Sequence, residues 1–250
     1  MYFSSSVLIA VLVRFALAQT PKDFEPAVTS KLDVMFNTTM VMKAGMQLSK
    51  AETASQPQIA ASSSMVDASK SYVFVMLDLD VPPAQGSTTR RTLLHAMETG
   101  FKATSQKIAG NSVLLASTEQ GPAAYVPPSP PATDTIPHRY VQMLFEQPES
   151  LAVKASDFAN TQARIGFDIM SFSKENKLGN PMAANFFTVD GKASAAGGSG
   201  GARGTAGSRG TAAASGATPS RTAAPFTGAA GNMDVSYGLA SLLGSLALIV

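Results

Sequence analysis

The chain has no cysteine and only two histidines among its 250 residues. The first absence excludes a disulfide scaffold, a thiolate zinc site, an iron–sulfur cluster and a cysteine nucleophile. The second excludes a three-histidine metal site built from one chain. Charge is also scarce, at 14% of residues against about 25% in an average soluble domain. The shortage is uneven. Residues 19–190 carry 14 Lys/Arg and 16 Asp/Glu, about −2 in all, whereas 191–227 carry Lys192, Arg203, Arg209 and Arg221 and no acid. The basic sequence pI of about 8.8 therefore reflects the tail. A formal charge of +2 gives no footing for a nucleic-acid partner.

No apolar run reaches the roughly 20 residues of a membrane span, yet both ends are apolar. Val7–Val13 is followed by Ala16-Leu17-Ala18, the small-x-small pattern of a secretory signal, with cleavage expected after Ala18. The n-region has no Lys or Arg and Arg14 follows the apolar core, so an apolar strand is the alternative. At the other end, Val235–Val250 carries no charge, and Gly228-Ala229-Ala230-Gly231-Asn232 lies upstream, with a polar spacer through Ser236. Small residues, spacer and terminal apolar tail describe a GPI-attachment signal over 229–250, with Gly228 as the favoured attachment residue. A single tail-anchoring helix is the alternative. Residues 191–228, rich in Gly, Ala, Ser and Thr and nearly empty of large apolar residues, read as a flexible stalk. The expected localisation is extracellular, secreted and tethered by a GPI anchor to the cell surface, at plasma membrane or cell wall. Asn37-Thr38-Thr39 is the one N-glycosylation sequon, which makes Asn37 the expected glycan site.

About 170 residues remain, 19–190, enough for one domain without disulfides. Apolar residues there alternate with period two. Tyr72 to Asp80 puts Tyr72, Phe74, Met76, Asp78 and Asp80 on one face and Val73, Val75, Leu77 and Leu79 on the other. Both faces are largely apolar, so an interior strand between two packed layers is expected. His138–Gln147, Gly166–Ser171 and Ala183–Val189 read as further strands. Helix is sparse: one short helix capped by Ser156 from Asp157, another over Ser173–Leu178. Strands parted by Pro- and Gly-rich loops indicate a mainly β, Greek-key sandwich with few short helices.

Asp78 and Asp80 end the interior strand, and unpaired carboxylates on an apolar face are costly to bury. The two histidines, His95 and His138, lie in the next apolar segments. His138 shares a strand face with Tyr140 while Arg139 points the other way. Two imidazoles, a phenol and a carboxylate converging at strand ends make a small anion site: the carboxylate fixes one imidazole tautomer and the remaining donors face the anion.

Asp78-Leu79-Asp80-Val81-Pro82 resembles the first signature of the phosphatidylethanolamine-binding proteins. Leu94-His95 resembles the next strand, and Tyr125 to Pro131 followed by His138-Arg139-Tyr140-Val141 resembles the second signature in order and spacing. Phe167–Phe172, Leu178-Gly179 and Asn185-Phe186-Phe187 resemble the closing segment. The likeness covers 73–189. It implies a pocket of Asp78, Asp80, His95, Pro131, His138 and Tyr140 that takes phosphate-like anions such as a phospholipid headgroup. It also implies a cis peptide at Val81–Pro82 and a buried ion pair from Arg139, with Asp80 as the suggested partner. Leu79 and Leu93 replace the family's usual proline and tryptophan, and the C-terminal helix that covers the pocket in animal members looks absent. Three functions compete: a tethered binding module for anionic groups, an inhibitor of a secreted carboxypeptidase or serine protease with Gln19–Pro26 as its arm, and an enzyme with an Asp78, His95, His138 metal triad. The first is preferred. No cofactor, metal or enzymatic activity is expected.

Overall fold

The computed structural model describes residues 18–192. At its centre the period-two segment forms β5, Tyr72–Val81. Val73, Val75 and Leu77 are fully buried on one face, and Tyr72, Phe74 and Met76 on the other. Each such side chain contributes roughly 1.5–3 kcal/mol by leaving water.

The strand is flanked by β6, Arg91–Ala109, and β8, His138–Glu146, both antiparallel to it. Before β5 come β1 (Asp33–Phe36), β2 (Thr39–Met40), β3 (Met46–Leu48) and β4 (Gln58–Ser62). β7 (Ser112–Ala116) and β9 (Ala183–Val189) complete the set. The order across the sheet is β2-β1-β4-β7-β6-β5-β8-β9-β3. Its chain crossovers give the expected Greek-key β-sandwich, made by one sheet curling on itself.

The curl lies in β6. Its first half pairs with β5 as far as Phe101, and its second half pairs with β7 from Lys102 onward. Gly100, with φ +70°, sits at the changeover, and a Cβ there would meet the Glu119 carboxylate 2.3 Å away. The positive φ favours glycine here, and any larger residue would also have to displace the Glu119 side chain.

The curled halves enclose Val34, Phe36, Ile59, Phe74, Phe101, Leu115 and Phe187. On the outer face of β5, Val73, Val75 and Leu77 pack with Met143 and Phe145 under Phe158, Ile169 and Leu178. Two apolar layers thus cover β5, as its sequence requires.

Four local expectations are corrected. The segment 166–171 is not a strand: Asp168 caps an α-helix, α1, Ile169–Asn176, by accepting from Met170 N (2.9 Å) and Ser171 N (3.2 Å). Phe167 and Ile169 fit period two, but Ile169 and Phe172 also fit the i, i+3 spacing of a helix face, and tertiary packing decides. α1 ends at Asn176, so the helix expected over 173–178 begins earlier and stops sooner. Around Ser156 there is a single 3₁₀ turn, Ala155–Phe158, in which Asp157 rather than Ser156 accepts the backbone N–H of Lys154. Finally, Val81–Pro82 is trans, and the cis bond among the described residues is Glu25–Pro26. Val81 still pairs with Arg91 at the end of β5, so the chain enters Pro82 extended, the conformation a residue before proline favours.

The proposed inhibitory arm is docked on the domain. Gln19 N donates to Val28 O, Val28 N donates to Thr20 Oγ1, and Asp23 accepts from Arg139. The secretory signal up to residue 17, the stalk from residue 193 and the GPI signal with Gly228 lie outside the described residues.

Candidate ligand pocket

Strand pairing assembles the site. Asp78 lies opposite Tyr140 on β8 and Leu93 on β6, and β8 begins at His138. His95 stands on β6, and its backbone carbonyl accepts from Val126 N (2.8 Å). That bond lays the proline-rich loop 126–131 over the end of the sheet. Between loop and sheet is a cavity of about 210 Å³. Asp78, His95, His138 and Tyr140 line it, facing Val81, Pro82, Leu93 and Pro131.

His138, 2% exposed, is gripped at both nitrogens. Nδ1 lies 2.7 Å from Asp78 Oδ2 and Nε2 lies 2.9 Å from Asp134 Oδ2. Carboxylates only accept, so both nitrogens carry protons. Burial alone pulls its pKa down, but the hydrogen bonds and charges of Asp78 and Asp134 outweigh this and raise it. Asp134 is in turn held bidentately by Arg90, Nη2 to Oδ1 at 2.6 Å and Nη1 to Oδ2 at 2.9 Å. These bonds, with that from His138, hold its carboxyl far below the usual carboxylate range.

His95 is the opposite case. Nδ1 donates to Val126 O at 2.7 Å, leaving Nε2 buried with no hydrogen-bond partner and 3.9 Å from Asp78 Oδ2. Burial pulls its pKa below the ordinary imidazole value, so the ring is neutral. Its edge meets Tyr140, ring centres 5.1 Å apart at 88°. Tyr140 stacks between His138 and Phe187. Its hydroxyl is also buried and makes no hydrogen bond of normal geometry; burial, reinforced by the charge of the nearby Asp78 carboxylate and a weak hydrogen-bonding contact with it, drives its pKa upward and keeps it protonated.

Asp80 does not line the cavity. Its carboxylate accepts from Arg139 N, Nε and Nη2 at 2.8–2.9 Å, which is the Arg139 ion pair read from the sequence. Asp80 is thus a structural residue that fixes the start of β8. The carbonyl of Pro82 accepts from Arg91 Nε and Nη2, and Pro131 forms the wall, with Gly191 pressed on it. A Cβ at Gly191 would lie 2.0 Å from Pro131 O, and Lys50 Nζ donates to Gly191 O at 3.0 Å. Asn37 is exposed in the β1–β2 turn at φ 49°. No local pattern marks Arg90 and Asp134, which are 44 positions apart and joined only by the fold. No group of three or more His, Asp or Glu among the described residues is arranged to hold a metal ion, and no helix among them is long and apolar enough to cross a membrane.

Residues 35–187 match the family model described as phosphatidylethanolamine-binding protein. The chain is 31% identical over 197 residues to phomoidride biosynthesis cluster protein N of Talaromyces stipitatus, covering 73% of this chain and 96% of that one. It is 26% identical over 192 residues to CEN-like protein 1 of Nicotiana tabacum, covering 77% and 98%. Among solved structures, carboxypeptidase Y inhibitor complexed with its cognate proteinase shares the fold, with TM-score 0.50 and 22% identity over 66% of this chain and 84% of that one.

Proposed function

The chain belongs to the phosphatidylethanolamine-binding protein family, and from that premise we propose that it is a binding module whose pocket takes one small oxyanion, phosphate-like in shape and charge. One observation carries the reading. Two buried polar atoms without partners, Tyr140 Oη and His95 Nε2, border a single cavity. Buried polar groups are nearly always satisfied, so their partner is the ligand. Tyr140 donates its O–H. His95 donates from Nε2 once the anion has drawn a proton onto the ring. The Asp78–His138 pair beside them adds little net charge, and its hydrogen bond fixes the ring against which Tyr140 stacks.

The module is a binder rather than an enzyme. The imidazole with a free nitrogen has no hydroxyl or thiol hydrogen-bonded to it, and both nitrogens of the other are taken by carboxylates. It works outside the cell, tethered through a GPI anchor and glycosylated at Asn37. The small-x-small pattern at Ala16–Ala18, the small residues before the terminal apolar run, and the exposed turn position of the sequon support this. An inhibitor of a secreted peptidase is the second reading, favoured by the fold shared with a carboxypeptidase Y inhibitor. The docking of Gln19–Pro26 on the domain weighs against a free inhibitory arm.

The test is calorimetric titration of the full chain with phenyl phosphate. Binding is expected, and Tyr140→Phe should weaken it by about 1.5–3 kcal/mol, the worth of a hydrogen bond to a charged group. No binding, or no effect of the hydroxyl, overturns the pocket assignment. Inhibition of a carboxypeptidase or serine protease without anion binding establishes the second reading.

A further inference from the structure

Asp134 occupies a place an external anion could take. Its carboxylate receives two N–H groups from Arg90, one from His138 Nε2 and one from its own loop at Thr135 N; the first three are donors on two cations that come from outside the loop and converge on one small acceptor. Arg90 is itself set in place by a bond to the carbonyl of Asp80. Guanidinium in this fork geometry, with an imidazolium beside it, suits a phosphate as well as a carboxylate. The donors are fixed on strands or at strand ends, while the acceptor is on a loop. Residues 132, 133 and 135–137 around Asp134 are exposed, and Asp134 N donates only to Pro131 O within the same turn.

A second cavity of about 280 Å³ lies beyond this carboxylate, lined by Pro82, Pro83, Arg90, Pro131, Thr133 and Asp134. It shares Pro82 and Pro131 with the pocket of His95 and Tyr140. The Arg90–Asp134 pair lines the second cavity, and Asp134 reaches the first through His138.

We propose that Asp134 is an internal occupant of an anion subsite formed by Arg90 and His138, and that the protein selects phosphomonoesters, whose dianionic terminal phosphate displaces it, over phosphodiesters and carboxylates. The inference rests on the reading of the pocket as an oxyanion site. Selection follows from competition within the chain. A tethered carboxylate acts at an effective concentration of mM order or more. A monoanion offers the subsite nothing that Asp134 does not already supply, and loses to it. A phosphomonoester dianion offers three terminal oxygens to three donors and a second negative charge to two cations. Its ester group then extends into the joined cavities.

Full-chain protein and Asp134→Ala are titrated with phenyl phosphate and with methyl phenyl phosphate, the matching diester. The native protein should bind the monoester and hold the diester at least tenfold more weakly. Asp134→Ala should bind the diester at least tenfold better than the native protein does, closing the gap. Equal native affinity for both esters, unchanged by Asp134→Ala, overturns the inference and leaves the oxyanion reading intact. Absence of all binding in a folded Asp134→Ala protein overturns that reading as well. The native protein also gives a test free of any variant. Phenyl phosphate should shift the side-chain ¹⁵N resonances of Arg90 and His138, and bound monoester that leaves both unmoved refutes the displacement.

Discussion

His95 and His138 border one cavity, 3% and 2% exposed, yet they hold different charge. His138 has a carboxylate at each nitrogen and stays protonated. His95 has a backbone carbonyl at one nitrogen, nothing at the other, and stays neutral. This difference sets the pH dependence of binding. The anion favours the protonated form of His95, so its binding takes up a proton. Affinity should therefore rise as pH falls through the bound-state pKa of His95 and level off below the free-state value, which burial holds under 6.5. Sulfate is the suitable probe, since its own charge is constant over this range, and His95→Gln should flatten the profile. A profile that is flat in the native protein, or that persists in His95→Gln, contradicts the assignment. Period-two spacing puts His138 and Tyr140 on one face, the strand end and the next apolar segments add Asp78 and His95, and the likeness to the family adds Pro131. The likeness gives Asp80 both a place in the pocket and Arg139 as partner, and only the fold shows that the ion pair holds its carboxylate away from the cavity. Asp134 left no local mark either: an aspartate in a Thr-Asp-Thr loop reads as a solvated turn until the fold brings Arg90 to it.

At the scale of elements, strands read well where both faces are buried. β5, β8 and β9 are such strands, and their bounds fall within a residue or two of the expected ones. Short segments packed on one side read poorly. In 166–176, two apolar residues at even spacing suggested a strand, although Asp168 immediately before Ile169 is an N-cap signal. The cap matters to the core, since α1 shields the outer face of β5 through Ile169. Asp168→Ala should therefore lower the unfolding free energy by about 1 kcal/mol in urea titration with unchanged slope. No change in the midpoint would mean that packing alone sustains the helix.

At the scale of the whole molecule, the proposal is that both ends of the chain are processing signals around a folded module. Expression of the full chain in a eukaryotic secretory host tests this. Phosphatidylinositol-specific phospholipase should release the protein from the cell surface, with its C-terminus near Gly228. Retention on membranes, with a peptide ending Leu248-Ile249-Val250 found by mass spectrometry, identifies a tail helix instead. The chain leaves the domain beside the wall of the cavity. Gly191 lies against Pro131 with no room for a methyl group, and the strand leading to it, β9, runs parallel to β3 and beside the start of β8. Lys50 Nζ holds the Gly191 carbonyl, so the last residues of the domain are seated against the cavity wall. Any side chain at 191 would have to push Pro131 aside, which ties the shape of the cavity to a glycine at the foot of the chain's exit.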